Sequence, residues 1–299
     1  MNKETKNYSF YFLDNQKERR KKGSSGGTLK GIARKIYKDI NSNLQIKSKY
    51  KNFKTHTNLY EKPQFFKKTN LKKVTRVKVP LIRRCGTMSV HQRLLEQNPG
   101  FRKNLLGFER LVARRMASGM AVRAGGVTTI PVVVHVVYNQ DSENISDAQV
   151  KSQITALNKD YSAGNPDKSK TPGVWKGLVT DVRVQFTFAS KDPDGKTTNG
   201  ITRTSTTKTS FADDDSVKYT SKGGMNAWPS ERYLNIWVCS LGNGLLGYAQ
   251  FPGGPAATDG VVILNLAFGT TGTAQTPFNL GRSATHEIGH WLNLRHIWG

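Results

Sequence analysis

The stretch from His286 to His296, which reads HEIGHWLNLRH, carries three histidines near the end of a 299-residue chain. An α-helix turns by about 100° per residue, so His286 and His290 would project from one face of a helix and could share a metal ion. Glu287 follows the first histidine, and its carboxylate can hold a metal-bound water and act as a general base. The stretch therefore predicts a helix that carries part of a metal site.

The third histidine constrains the backbone after this helix. If the helix continued, His296 would lie roughly 120° around the axis from His290 and could not reach the same metal ion. The helix must therefore end between the two residues. Asn293 is the candidate position, because asparagine tolerates the positive φ that a sharp helix end requires. The five-residue motif alone is a weak signal, and the third histidine at this spacing strengthens it.

Upstream of this helix, apolar patterns predict strands with one long helix between the first two. Residues 130–138 are rich in β-branched side chains, as in a strand that is buried on both faces. Apolar and polar residues alternate over 182–188, and a helix capped by Ser146 lies between these strands. Three more strands are predicted at 234–239, at 247–251, where the strand should be short and exposed, and at 260–264. The pattern indicates an α/β fold class.

Positive charge is concentrated at the start of the chain. The formal net charge is +25, and residues 1–80 hold 22 Lys and Arg against 5 Asp and Glu, while residues 81–123 hold 9 against 2. Residues 124–299 are nearly neutral, with 15 against 14. We therefore predict a basic, disordered tail over 1–80, a region with two short helices over 81–123, and a domain over 124–299.

The segment 281–299 resembles the zinc-binding segment of the pappalysin family of metzincins, most closely its ulilysin-like and cytophagalysin-like members. Residues 233–239, 245–252 and 259–262 are similar to sheet and loop segments of that family, so the resemblance covers about residues 81–299. It implies the N-terminal subdomain of a metzincin-like zincin. Such a subdomain has a twisted, mostly parallel five-stranded sheet, a backing helix and an active-site helix.

The same resemblance implies a zinc-dependent endopeptidase. His286, His290 and His296 would be the Zn2+ ligands and Glu287 the general base, in agreement with the helical geometry. The strand around Tyr248 would be the edge to which a peptide substrate adds, although Tyr248 itself fits a plain core aromatic equally well. Substrate-binding residues stay unassigned. The family also implies protein or peptide substrates and secretion, although no signal peptide is visible.

The pentapeptide Arg83-Arg84-Cys85-Gly86-Thr87 resembles the latency segment of ulilysin-like zymogens, in which a cysteine thiolate occupies a zinc position. The flanking arginines should lower the pKa of the thiol, and zinc prefers thiolate sulfur. The alternative is a solitary exposed cysteine in a basic linker. The resemblance thus predicts a cysteine switch at Cys85, within a pro-segment that ends near residue 123.

Two observations support competing functions. Metzincins continue past the third histidine into a C-terminal subdomain with a methionine turn, whereas all five methionines lie at or before Met225. We therefore expect that subdomain to be missing from a truncated chain, which makes a zinc-binding but catalytically inactive fragment the first alternative. The second alternative is nucleic-acid binding through the basic residues 1–80, although no nucleic-acid-binding motif accompanies the charge.

Other polar groups are expected to have structural roles. His135 should be a satisfied sheet histidine, and Cys239 a small buried apolar residue, with no disulfide partner assigned to it. The run from Asp213 to Asp215 fits a solvated acidic turn better than a calcium site, because further oxygen ligands at a defined spacing are lacking. No apolar run is long enough for a membrane helix, and the sequence leaves the oligomeric state open.

Overall fold

A computed structural model of the chain describes residues 84–118 and 126–296. The predicted basic tail over 1–80 lies outside the described residues, and so does the junction near residue 123. The described residues form five α-helices, joined to the strands by loops and short 3-10 turns. These helices are α1 (Thr87–Gln97), α2 (Pro99–Ala117), α3 (Asp147–Tyr161), α4 (Gly173–Lys176) and α5 (Arg282–Trp291).

A single sheet organises the described residues. Its seven strands are β1 (Arg84–Cys85), β2 (Thr128–Tyr138), β3 (Val184–Phe188), β4 (Ile201–Ser205), β5 (Leu234–Cys239), β6 (Leu245–Ala249) and β7 (Val261–Leu264). The strand order is β1-β6-β7-β5-β2-β3, and β4 also pairs with β2. All pairs are parallel except β6 with β7, so the fold is the mostly parallel α/β sheet that the sequence predicts.

The centre of the sheet is β2, whose two halves pair with different strands on one side. Residues 128–132 pair with β3 and residues 134–138 pair with β4, while β5 covers the opposite side. Val132, Val134 and Val136 are fully buried, as expected for a β-branched strand between two layers. The structure thus uses one long strand to join two short ones.

Helices cover both faces of the sheet. On one face α3 and α5 contribute Leu157, Ala284 and Ile288 to a core that includes the valines of β2. On the other face α1 and the first turns of α2 contribute the buried apolar side chains Val90, Leu94, Phe101 and Leu105, which pack on Trp237, Tyr248, Phe251 and Val262. The region predicted to be a pro-segment therefore supplies one of the two covering layers.

The observed elements extend the sequence prediction in three places. The two helices expected before residue 117 are present and separate at Asn98, but α2 has 19 residues and is not short. The five predicted strands are present, and β1 and β4 were not predicted. Strand β6, which would be the sheet edge without β1 and is called the edge strand below, was expected to be exposed. It is mostly buried, because β1 pairs with its outer side and α1 packs against it. No helix among the described residues is long and apolar enough to cross a membrane.

Candidate metal centre and active site

Helix α5 carries the first two histidines and ends as the spacing predicts. Gly281 precedes the helix with a φ of 73°, and Asn293 follows it with a φ of 72°. The N–H of Leu294 donates to the carbonyl of Gly289 and the N–H of Asn293 to that of His290, which is the hydrogen-bond pair of a Schellman motif. This left-handed turn at Asn293 reverses the chain and brings His296 back towards the helix.

The three histidines meet at one point. The Nε2 atoms of His286 and His290 lie 3.0 Å apart, those of His290 and His296 3.1 Å, and those of His286 and His296 3.2 Å. Tetrahedral coordination with metal–nitrogen bonds of about 2.0–2.1 Å would place ligand nitrogens roughly 3.3–3.4 Å apart. The observed triangle is close to this size, so the three imidazoles fit a small transition-metal ion such as Zn2+.

The protonation of the histidines also suits a metal. The Nδ1 atom of His290 lies 2.6 Å from the carbonyl oxygen of Leu294 and donates to it, which leaves the Nε2 lone pair directed at the cluster. Burial lowers the pKa of His290 to about 4 and, together with its histidine neighbours, that of His286 to about 3. Both rings are therefore neutral at physiological pH, as metal ligands must be.

A fourth donor comes from a distant part of the chain. The Sγ atom of Cys85 and the three histidine nitrogens all lie within 4.8 Å of one another. Cys85 reaches this position because β1 pairs with the edge strand, with Arg84 opposite Leu245 and Cys85 opposite Gly247. A set of three imidazoles and one thiolate would complete a closed tetrahedral site.

The expected influence of the arginines on Cys85 is not observed. Burial raises the pKa of the Cys85 thiol, and the nearby charge of Glu287 raises it further. The Arg84 side chain turns instead towards Asp213, with 3.9 Å between the charged atoms, and is half exposed. The prediction that arginines lower this pKa was therefore wrong for Arg84, and Arg83 lies outside the described residues. A metal ion would itself stabilise the thiolate.

Glu287 is buried beside the cluster, with 2% of its surface exposed. Burial raises the pKa of its carboxyl to about 7, against the opposing effect of hydrogen bonds from Thr87 and Cys85. The Thr87 hydroxyl donates to Oε2 at 2.8 Å, and the Cys85 thiol donates to the same oxygen at 3.5 Å. A carboxylate with a pKa near neutrality, held next to three histidines, can take up and release a proton.

Gly247 allows the edge strand to pass directly over this carboxylate. A Cβ atom at this position would lie 2.7 Å from the carbonyl oxygen of Val262 and 2.9 Å from Cγ of Glu287. Real Cβ atoms do not approach backbone this closely, so any side chain at Gly247 would push the strand and the helix apart. The sequence prediction placed Gly247 in the strand and gave it no role in the site.

A buried network fixes the first turn of α5. The carboxylate of Asp160 binds the guanidinium of Arg282 and accepts a hydrogen bond from Thr285 Oγ1 at 2.5 Å. Asp167 binds the second guanidinium nitrogen at 2.5 Å, and the Tyr161 hydroxyl donates to the carbonyl of Thr285. A cation in the first turn of a helix opposes the helix dipole, and these carboxylates compensate for it. The network ties α3 to the turn that precedes His286.

The acidic run was expected to be solvated, and this expectation was wrong for Asp215, which is 2% exposed. Its carboxylate lies 2.7 Å from the Arg93 guanidinium of α1 and 2.8 Å from the ammonium group of Lys218. Lys218 is fully buried and also donates to the carbonyl of Thr258 at 2.6 Å. Asp215 therefore anchors helix α1 by charge, a role that the composition of the run did not indicate.

Three other residues that the sequence singled out, His135, Cys239 and Tyr248, are buried in the structure. His135 is fully buried, with Thr202 Oγ1 at 2.7 Å from one ring nitrogen and Asn235 Oδ1 at 3.0 Å from the other, so the expected satisfied sheet histidine is confirmed. Cys239 is fully buried, as expected, and both cysteines are free, a point that the sequence left open. Tyr248 is a buried core residue of the second face, which favours the structural interpretation of its side chain.

Sequence reasoning missed several residues of the site. Thr87 belongs to the pentapeptide that drew attention to Cys85, but hydroxyl residues are too common for its contact with Glu287 to be foreseen. Asp160 and Arg93 act across more than 100 residues of chain, so no local pattern connects them to their partners. Only the histidines and Glu287, which lie within 11 consecutive residues, gave a signal that could be interpreted locally.

The known proteins to which this chain is similar are metalloproteases. The Peptidase M43 family model, described as pregnancy-associated plasma protein-A, matches residues 218–299. An extracellular metalloprotease of Pyricularia oryzae is 31% identical over 194 residues, which is 62% of this chain and 56% of that protein. One of Arthroderma benhamiae is 30% identical over 178 residues, which is 57% of this chain and 52% of that protein. The chain thus spans about half the length of the curated relatives it matches.

Two solved structures are also similar. Mature mirolysin of Tannerella forsythia in complex with a cleaved peptide has 54% sequence identity and a TM-score of 0.57, with 58% of this chain and 66% of that chain covered. A promirolysin mutant of the same organism has 45% identity and a TM-score of 0.61, with 72% of this chain and 70% of that chain covered. Identity at this level over most of that second chain identifies a common family.

Proposed function

The chain belongs to the pappalysin family of metzincin metalloproteases, and on this basis we propose that it is the latent precursor form of a zinc-dependent endopeptidase. The observation that carries the proposal is the meeting of three histidine nitrogens and one cysteine sulfur, with the buried carboxylate of Glu287 3.5 Å from that sulfur. A metal follows from the family, and we assign it as Zn2+ because a site of imidazole and thiolate donors with tetrahedral spacing suits that ion.

The proposed ligands are His286, His290 and His296, with Cys85 as the fourth ligand of the latent form. When bound, Zn2+ supplies Lewis acidity, which makes a water nucleophilic at neutral pH and polarises a carbonyl oxygen. Glu287 is proposed as the general base, whose carboxylate accepts the proton of the attacking water and passes it to the leaving amine. In the latent form Thr87 and Cys85 cover this carboxylate, so bulk water reaches it only after these residues have left.

The edge strand β6 is proposed to bind the substrate main chain. In the structure it holds the backbone of β1, and the N–H of Gly86 donates to the carbonyl of Gly247 at 2.9 Å. A peptide substrate can add to the same edge once the pro-segment has left. We propose that residues 81–123 form this pro-segment and residues 124–299 the catalytic part. The larger share of this chain that matches promirolysin than mature mirolysin supports this division.

The curated relatives are named extracellular metalloproteases, and we propose that this chain is likewise secreted and acts on proteins or peptides. The nearly neutral composition of the proposed catalytic part agrees with a peptide substrate rather than with a polyanion.

The proposal is tested with the full chain and its Glu287→Gln variant. Metal content is measured first, with one Zn2+ per chain expected for both proteins. Each protein is then treated briefly with trypsin, which cuts after Arg114, Arg115 or Arg123, and the trypsin is inactivated before a mixed peptide library is added. We expect peptide cleavage only after processing, only with Glu287 present, and only until a chelator is added.

Each other outcome has a definite meaning. One zinc ion per chain without cleavage after processing would identify a metal-binding protein that is not a protease. A chain without zinc would contradict the assignment of the histidines as ligands. Cleavage that persists in the Glu287→Gln variant would contradict the role of Glu287 and point to residual trypsin or to another base.

A further inference from the structure

Thr87 occupies the centre of the contact between the pro-segment and the active site. It is the first residue of α1, two positions after Cys85, and its side chain is fully buried. Its hydroxyl donates to Oε2 of Glu287 at 2.8 Å, and the backbone N–H of Ala249 donates to the same hydroxyl at 2.8 Å. One oxygen atom therefore joins the proposed general base to the edge strand.

The hydroxyl of Thr87 provides a hydrogen-bond partner for two buried polar groups, which would otherwise lack one and destabilise the structure. Glu287 is buried, and a buried carboxylate without a hydrogen-bond donor is strongly destabilised. The N–H of Ala249 faces the edge that β1 occupies, and it too needs an acceptor when solvent is excluded. A hydroxyl offers one donor and two acceptor positions, so it can serve both groups, which an apolar side chain of the same size cannot.

We propose that latency is held at two separate points, with Cys85 on the metal and Thr87 on the general base. This inference rests on the proposed function, because it assigns the regulation of the same site. The Thr87 hydroxyl donates to the Glu287 oxygen that would take a proton from water. The same hydroxyl accepts from the N–H of Ala249, a group of the edge strand that an extended substrate would bind. Displacement of the Cys85 thiol alone therefore leaves the base and the edge strand blocked.

The neighbouring contacts explain why Thr87 stays in place when the thiol moves. Gly86 pairs with Gly247 through its own backbone, and a Cβ at Gly86 would lie 3.0 Å from Leu245 and 3.2 Å from Cβ of Tyr248. The backbone between Cys85 and Thr87 is thus packed closely against β6. Helix α1 then continues from Thr87 with Val90 and Leu94 in the core, which fixes the direction of the threonine side chain independently of Cys85.

The test uses the full, metal-loaded chain and four variants: Thr87→Val, Thr87→Ser, Cys85→Ala and the double variant Cys85→Ala/Thr87→Val. Valine keeps the shape of threonine without the hydroxyl, and serine keeps the hydroxyl. The first readout is peptide cleavage by the unprocessed chain, relative to the same chain after trypsin processing. Before processing, we expect the Cys85→Ala variant to show only part of the activity that it shows after processing. The unprocessed double variant should be about 10- to 100-fold more active than unprocessed Cys85→Ala, because loss of a hydrogen bond to a charged group has an effect of this size.

A second readout does not depend on proteolysis. The Cys85 thiol is labelled with a disulfide reagent such as 5,5′-dithiobis(2-nitrobenzoic acid), and the fully buried Cys239 provides a slow background. Thr87→Val should raise the labelling rate of Cys85 about 10- to 100-fold, whereas Thr87→Ser should label like the unchanged chain. An unchanged labelling rate in Thr87→Ser would show that the faster labelling of Thr87→Val comes from loss of the hydrogen bond and not from general loosening of α1.

The two proposals fail in different ways. If the processed chain cleaves no peptide, the proposed function is wrong, and the labelling rates still decide whether Thr87 holds the pro-segment. If Thr87→Val labels at the same rate as the unchanged chain, the second point of latency does not exist. The same conclusion would follow if Cys85→Ala alone were as active before processing as after it.

Discussion

Helix α5 and the proposed pro-segment contribute to the same candidate site but are held in different ways. Helix α5 is fixed by Ala284 and Ile288 in the first core and by the carboxylates that bind Arg282. The pro-segment is fixed by the two residues of β1, by four apolar side chains and by contacts such as that of Arg93 with Asp215. Under the proposed function, the first region is a permanent part of the domain, whereas the second is removed on processing.

This difference explains how one site can be both preformed and closed. The spacing within α5 and the turn at Asn293 set the positions of the histidines, and the proposed pro-segment reaches this turn only at its side, where Glu109 of α2 lies 3.7 Å from Arg295. Cys85 and Thr87 depend on contacts between residues about 200 positions apart, and these contacts can be lost together. Removal of the pro-segment should therefore open the site without rebuilding it.

The largest expected effect is the loss of a histidine ligand. His296→Ala removes one of the three nitrogen donors, and metal affinity should fall by more than the roughly 10- to 100-fold that loss of an outer hydrogen-bond partner causes. Metal content after dialysis and the dissociation constant for Zn2+ would measure it. His91→Gln, a buried pro-segment histidine outside the four-residue cluster, is the control that should retain the metal.

Matched core truncations should separate the two regions. Ile288→Ala and Leu94→Ala each leave a cavity at a buried position, and each should cost about 2–5 kcal/mol. We expect Ile288→Ala to lower the melting temperature of both the precursor and the processed chain. Leu94→Ala should lower that of the precursor alone and speed release of the pro-segment. An equal effect of Leu94→Ala on the processed chain would show that α1 belongs to the permanent domain.

The stability of the permanent domain should fall in acid because of His135. Burial lowers the pKa of His135 to about 4 in the folded chain, against an unfolded value of about 6.5. The unfolded chain therefore binds a proton more readily, so the free energy of unfolding should fall as the pH drops from about 6.5 to about 4, by about 3 kcal/mol in total. Denaturant melts of the processed chain at several pH values would measure the slope.

The control for this slope is His135→Gln, which cannot titrate and can still hydrogen-bond to Asn235. It should be less stable than the unchanged chain at pH 7.5 and should lose less stability on acidification. An equally steep decline in the variant would assign the acid sensitivity to other groups.

The ionic contact of the pro-segment should have a moderate effect. Arg93→Ala leaves Asp215 with Lys218 as its remaining charged partner, and we expect docking of α1 to weaken by about 1–2 kcal/mol, or about 5- to 30-fold in the rate of pro-segment release. Limited proteolysis followed by size-exclusion chromatography would measure this rate. Arg110→Ala removes an exposed cation from α2 and should leave the rate unchanged.

The smallest expected effect concerns the turn that positions His296. Asn293→Gly relieves the cost of a left-handed backbone conformation and should stabilise the domain by less than about 1 kcal/mol, with metal affinity unchanged. Thermal melts of the processed chain would detect it. Asn293→Ala should act in the opposite direction, because alanine has no side-chain group to support positive φ. Equal melting temperatures for all three chains would mean that the turn stores no strain.

Much of the fold could be predicted because it depends on local patterns. Each of three local patterns predicts the burial of its own segment: the β-branched run of β2, the alternation in β3 and the helical spacing of α3. Strand β1 could not be predicted in this way, because two residues carry no period and become a strand only by pairing with β6. The burial of β6 and of Asp215 also depends on the proposed pro-segment, which packs over them. No local sequence pattern predicts this packing.

The sequence by itself determined the positions of the three histidines, the carboxylate beside them and the turn that must separate the second histidine from the third. This was possible because eleven consecutive residues and the helical repeat fix their relative positions. The tertiary structure alone decided that Cys85 and Thr87 meet Glu287, that Asp160 neutralises Arg282, and that Arg93 pairs with Asp215. Contacts between residues more than 100 positions apart depend on how the sheet and its covering helices pack, and that packing is a property of the whole domain.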